Sequence, residues 1–124
     1  MAVSHRLGAA GERLAADYLA ARGYEILDRN VREGHAEVDL VARAGRTVAF
    51  VEVKTRAGGE YGHPLEAITR AKRREVERVA AAWVRTRGAP GDVYRFDAVA
   101  IIWSGGADPI VEHVPDAWRR GDPS

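Results

Sequence analysis

Two β-rich runs, Ala36–Ala42 (AEVDLVA) and Thr47–Thr55 (TVAFVEVKT), are separated only by Arg43-Ala44-Gly45-Arg46. Runs this close with a glycine between them form a β-hairpin, and a hairpin decides which side chains share a face. If Gly45-Arg46 makes a two-residue type II′ turn, with glycine where φ must be positive, Asp39 falls opposite Glu52 and Glu37 opposite Lys54. A three-residue turn with a bulge would shift this register. Val38, Leu40, Ala49, Val51 and Val53 then line one face, and Val41, Val48 and Phe50 the other. The second face continues as Glu37, Asp39, Glu52 and Lys54, so a sheet apolar on both sides ends in charge. Carboxylates gathered this way repel and are desolvated at considerable cost unless lysine and solvent, or a cation, neutralise them.

The flanking segments supply the rest of an α/β domain. Leu7, Ala10, Gly11, Leu14, Ala15 and Tyr18 recur at helical spacing, with Ser4 as N-cap and Gly23 as the stop. A short strand is expected over Tyr24–Arg29 and a turn or loop over Asn30–His35. Pro64 suits the first turn of a long helix whose Leu65, Ile68, Val76, Val79, Ala80 and Trp83 keep one face apolar up to Gly88. Val93–Trp103 and a shorter run around Ile110–Val114 read as further strands. Strand, long helix, strand from Thr47 to Trp103 is a βαβ unit, whose crossover should be right-handed and whose strands should be parallel. The expected fold is a single α/β domain over residues 1–118, with a mixed central sheet, a β-hairpin and a βαβ crossover flanked by helices. Residues 119–124 have nothing to bury and are expected to be a flexible tail.

Composition narrows the function classes. With 124 residues, 46% hydrophobic, 30% charged and a net charge of +1, the chain has room for one core and lacks the signature of disorder. The absence of cysteine excludes a disulfide framework and a thiolate zinc site. His5, His35, His63 and His113 have no zinc-like spacing. No apolar run approaches the roughly 20 residues of a membrane span, and the N-terminus has no signal-peptide pattern, so a cytoplasmic protein without a membrane partner is expected.

A hard divalent ion suits the charged end of the hairpin, because magnesium takes oxygen ligands, typically one or two carboxylates plus waters and substrate phosphate oxygens. Asp39 and Glu52 are the best pair of ligands for Mg2+ or Mn2+. Only two lysines, Lys54 and Lys72, occur among the nineteen basic residues. Biased codon usage accounts for the arginines, but a site that needs an amine cannot substitute arginine freely, so both lysines are candidate functional positions. Lys54, two residues beyond Glu52, is placed to hold an attacking water or stabilise charge on a phosphate. Lys72 falls within the apolar stripe of the long helix. It either lays its stem on the core and lifts its ammonium to solvent or sends the amine toward the acidic end of the sheet.

Asp39 followed by Glu52-Val53-Lys54 on an adjacent strand resembles the PD-(D/E)XK signature of the restriction-endonuclease-like nuclease superfamily. More closely, the chain resembles the YraN family of small bacterial proteins, which is similar to archaeal Holliday junction resolvases in motif order. The matches are Gly11-Glu12, Tyr18-Leu19, Gly23-Tyr24, Arg29-Asn30, Glu37–Ala42, Phe50–Arg56, Tyr61-Gly62, Lys72 and Arg95-Phe96-Asp97. Ala36 departs from the glycine usual before the Glu37 equivalent. The resemblance implies metal ligation by Asp39, Glu52 and the Val53 carbonyl, Lys54 as catalytic lysine, and Glu12 reaching in from the first helix. Glu37 stays open between a supporting acid, a ligand through water and a partner for Lys54. Asp97 is expected to be structural, paired with Arg95 or a loop amide.

The activity implied is metal-dependent endonucleolytic hydrolysis of DNA, with branched or damaged structures as candidate substrates. The alternative is a non-catalytic nucleic-acid-binding or accessory module that retains the fold, and a purely structural acidic cluster is a third reading. A net charge of +1 gives no global attraction to phosphate, so contacts must be local, with Arg56, Tyr61, Arg73 and Arg74 as candidates. A junction-cutting activity would need two sites and hence a homodimer.

Overall fold

A computed structural model describes residues 2–58, 63–106 and 108–122, with side chains from residue 8 onward. The elements are α1 (Ala2–Ala21), β1 (Glu25–Glu33), β2 (Ala36–Ala44), β3 (Thr47–Ala57), a 3₁₀ turn (Pro64–Ala67), α2 (Arg70–Arg87), β4 (Val93–Trp103) and β5 (Ile110–Trp118). The five strands form one sheet in the order β1-β2-β3-β4-β5. Only β3 and β4 run parallel, joined through α2, and the other neighbours are antiparallel. The mixed α/β sheet with a hairpin and a βαβ unit is as expected. Among the described residues no helix is long and apolar enough to cross a membrane.

Each helix covers one face of the sheet. Ala15, Ala16 and Leu19 of α1 pack on Leu40, Ala42, Ala49, Val51, Val53, Val99 and Ile101. Val76, Val79, Ala80 and Trp83 of α2 pack on Val41, Val48, Phe50 and Ala98. A side chain of this size buried from water contributes roughly 1.5–3 kcal/mol for Val, Leu or Phe, so the two apolar layers hold the sheet between the helices.

Several elements depart from the sequence reading. Ser4 lies inside α1, which begins at Ala2, so it is not the N-cap. The buried stripe of α1 is turned from Leu14 and Tyr18 toward Ala16 and Leu19. A small-residue face lets the helix backbone approach the sheet: a Cβ on Gly11 would stand 2.0 Å from Thr55 Oγ1. The loop expected at Asn30–His35 is mostly strand, because Val31 packs into the α2-side core and β1 runs on to Glu33. The long helix is interrupted at Ile68 and Thr69, where the Thr69 side chain accepts the Lys72 N–H and caps a separate α2. Beyond β5, the Arg119 N–H donates to Asp122 Oδ2 in an exposed turn.

The hairpin has the expected register. Ala44 pairs with Thr47, Gly45 has φ +60°, and the ladder runs to Leu40 opposite Val51. The observed pairing ends there, one step short of Asp39 and Glu52. On the other side of β2, Arg29 pairs with Leu40 and Val31 with Val38. Leu40 packs toward α1, whereas Val31 and Val38 pack on the α2 side. Strict alternation would keep Val38 with Leu40, as the sequence suggested, so both strands turn over between these pairs, at Asp39 and Asn30. Asn30 makes this possible with φ +49°, a left-handed conformation that asparagine tolerates better than most residues.

Candidate active site

The place where β2 and β3 stop pairing is where the acidic residues gather. Past the end of the ladder the Val53 N–H donates to Asp39 Oδ2 at 2.7 Å, so Asp39 is held in line with β3 instead of standing out from the sheet. Asp39 and Glu52 are 7% and 2% exposed, and their carboxyl groups lie within hydrogen-bonding reach of each other. Glu52 Oε1 is buried with no donor directed at it. Glu52 Oε2 faces both lysines, at 3.6 Å from Lys54 Nζ and 3.6 Å from Lys72 Nζ.

The electrostatics follow from this burial. Desolvation and the neighbouring Glu52 charge push Asp39 up to about 8, against the Val53 N–H and Lys72. Burial also raises Glu52, with Lys72, the Asp39 hydrogen bond and Lys54 pulling the other way. Partial burial opposes the charge on Lys72, but Glu52, Asp39 and Glu75 outweigh it and hold its ammonium above the ordinary lysine value. Burial thus works against charging both acids at once.

Glu12 approaches from α1. Its position follows from the close contact of Gly11 with Thr55, and it lies one turn before Ala16 on the buried stripe. The Asn30 amide donates to Glu12 Oε1 at 2.9 Å. Burial raises its pKa against that hydrogen bond, with smaller upward contributions from the Asp39 and Glu37 charges. Glu37 itself turns outward to Arg32 (3.1 Å), while its backbone carbonyl accepts from Lys72 Nζ at 3.3 Å. Lys54 is thus partnered by Glu52 and not by Glu37.

Lys72 resolves toward the acidic end of the sheet, bound to Glu52, Glu75 and the Glu37 carbonyl. Arg56 lies two residues beyond Lys54 on β3 and is half-buried. The Arg73 guanidinium sits over the Trp118 ring at 5.9 Å, and Arg74 is exposed. Tyr61 lies outside the described residues. Asp97 is held away from the site: Arg95 (2.8 Å), His113 (2.8 Å) and the Asp116 N–H (3.0 Å) all engage it and keep it below the ordinary carboxylate range despite burial.

A divalent ion fits the donors present. Asp39 and Glu52 converge, one Glu52 oxygen has no donor, and two carboxylates are the usual protein contribution to a magnesium site. Among the described residues no set of three or more His, Cys, Asp or Glu is arranged to hold a metal ion, and Glu12 accepts from Asn30. Thr69 and Glu75 are contributors the sequence reading missed, and Asn30 entered it only as a match without a role. A Thr three residues before Lys72 was the available signal for the first.

A model of the family described as "Uncharacterised protein family UPF0102" matches residues 11–101, a span that takes in Glu12, Asp39, Glu52, Lys54 and Lys72. A UPF0102 protein of Rhodococcus jostii is 49% identical over 118 residues, 95% of this chain and 100% of the relative. Others from Leifsonia xyli subsp. xyli and Geobacter metallireducens are each 44% identical, covering 93% and 91% of this chain and 98% and 92% of the relatives.

Proposed function

The chain belongs to the UPF0102 family, and from the chemistry of its site we propose that it is a divalent-metal-dependent endodeoxyribonuclease with a PD-(D/E)XK centre of the restriction-endonuclease-like kind. The observation that carries this reading is the Asp39–Glu52 pair: two buried carboxyls facing each other, one oxygen without a donor, with two lysines at 3.6 Å from the other oxygen. A pair held together only for stability has little use for a facing carboxylate, because burying like charges is costly.

In this reading Asp39 and Glu52 hold Mg2+ or Mn2+, with the Val53 carbonyl and Glu12 as further oxygen donors. The bound ion supplies Lewis-acid stabilisation of charge on a phosphodiester. The Val53 N–H fixes the Asp39 carboxylate, and Asn30 fixes Glu12. Lys54, 31% exposed at its side chain, presents an ammonium to the phosphate or to the attacking water. Lys72 is tethered to the Glu37 carbonyl and its charge opposes the upward push of burial on Glu52. Arg56, Arg73 and Arg74 flank the site as phosphate contacts, and a homodimer would present two sites to a branched substrate.

A non-catalytic nucleic-acid-binding or accessory module is favoured by one observation, the absence of a third converging acid among the described residues. Cleavage of single-stranded, duplex, flap and four-way DNA with Mg2+ or Mn2+ separates the readings. Metal-dependent cleavage abolished by Glu52→Gln is expected, and wild-type inactivity on all four substrates would favour the accessory module.

A further inference from the structure

A second concavity lies beyond the acidic residues. On the same α2-covered face of the sheet, a groove of about 800 Å³ opens between the C-terminal half of α2, the N-terminal ends of β3 and β4, and the segment after β5. Its wall carries aromatic side chains: Phe96, half-buried, stacks on the buried Trp118 with ring centroids 5.4 Å apart, and Tyr94, 36% exposed, stands at the mouth beside Val84. Its rim is basic. Glu77 is engaged by the Trp118 indole N–H (3.1 Å) and Asp116 by Arg119 (3.1 Å), whereas among the described residues Arg85 and Arg120 have no protein partner.

The groove adjoins the acidic site. Phe50 lines it and lies two residues before Glu52 on the same face of β3, a step of about 7 Å. At the same end, Arg73, the neighbour of Lys72, covers Trp118.

We propose that this groove binds single-stranded DNA, with an unpaired base stacked on the exposed Tyr94 and phosphates held by Arg85 and Arg120. An exposed ring beside two arginines suits a ligand that is planar, apolar and anionic in repeat, which an unpaired strand is. A duplex hides its base faces, and an apolar peptide has no use for the arginines. The inference rests on the nuclease reading for DNA as the ligand and extends it: the strand held in the groove would lead to the acidic site, favouring substrates with unpaired nucleotides beside the cut.

The test is fluorescence anisotropy of fluorescein-labelled dT20 and of a 20-base-pair duplex in EDTA, where no cleavage occurs. Wild type should prefer dT20. Arg85→Ala/Arg120→Ala should lower the slope of log K against log salt by about 1.4. Tyr94→Leu should weaken dT20 binding about tenfold with little change for the duplex. Equal affinity for duplex, no binding of dT20, or an unchanged salt slope in the double arginine variant would overturn the proposal. So would sedimentation showing a dimer that the arginine substitutions dissociate without altering dT20 affinity, which would make the groove a contact between copies. If the groove variants behave as predicted while metal-dependent cleavage fails on every substrate, the nuclease reading falls and the groove assignment stands.

Discussion

Burying one carboxyl against another opposes charging both, and Lys54 and Lys72 beside Glu52 only partly offset that opposition. The folded-state pKa of Asp39, about 8, lies above its ordinary 3.8, so the folded protein holds a proton that the unfolded chain has lost. This group's contribution to stability is therefore fully present below about pH 4 and is lost as pH rises through about 8. Melting in chelator should show stability falling across that window. Asp39→Asn, which keeps an acceptor for the Val53 N–H, should flatten the fall and exceed wild type above pH 8 by ~1–3 kcal/mol. A variant that melts below wild type throughout would make the cluster a stabilising network. Lys54 separates catalysis from charge balance. Lys54→Arg keeps the positive charge beside Glu52 but not the compact ammonium, so folding and metal binding should survive while cleavage drops about 10²-fold. Cleavage near the wild-type rate would take Lys54 out of the mechanism.

Between elements, the contact that places Glu12 is the approach of α1 to the end of β3. Gly11→Ala would put a methyl group 2.0 Å from Thr55 Oγ1 and 3.2 Å from Thr55 Cβ, so the helix must move away. Overpacking of this kind costs about 1–3 kcal/mol. Adding Thr55→Ala should restore most of the lost stability, a coupling that denaturation of the two single variants and the double variant measures. Additive effects would mean that the helix does not pack as closely as described. The same region shows what the sequence could and could not reveal. The hairpin was legible because a two-residue turn and period-two alternation fix a register by themselves, and Val93–Trp103 because an unbroken β-rich run has few alternatives. The reversal of facing at Asp39 and Asn30 was not, since it depends on pairing across two strands, and alternation read along one strand placed Val38 on the wrong side. The break before α2 was hidden because Leu65 and Ile68 continue the apolar stripe through a 3₁₀ turn. Lys72 was legible as a break in that stripe, while its partners Glu75 and the Glu37 carbonyl depended on how α2 is seated over β2.

Taken as one molecule, the chain arranges chemistry by layer. Two apolar cores fasten α1 and α2 to opposite faces of the sheet, and where the β2–β3 pairing ends Lys72 reaches Glu52 from α2, while Glu12 of α1 is held by Asn30 of β1. At the other end of the same strands, Arg43 pairs with both oxygens of Asp92 and Arg46 donates to the Gly91 carbonyl, tying the hairpin turn to the loop before β4. The acidic opening thus sits on a scaffold tied together at the far end, which holds the carboxyl groups in place. The direct test is isothermal titration calorimetry of Mn2+ into wild type, Asp39→Asn and Glu52→Gln at constant pH. A single site in wild type that is lost in both variants, with each still folded by circular dichroism, is the predicted result. Unchanged affinity in both variants, or no binding by wild type, would contradict the assignment of Asp39 and Glu52 as a cation site.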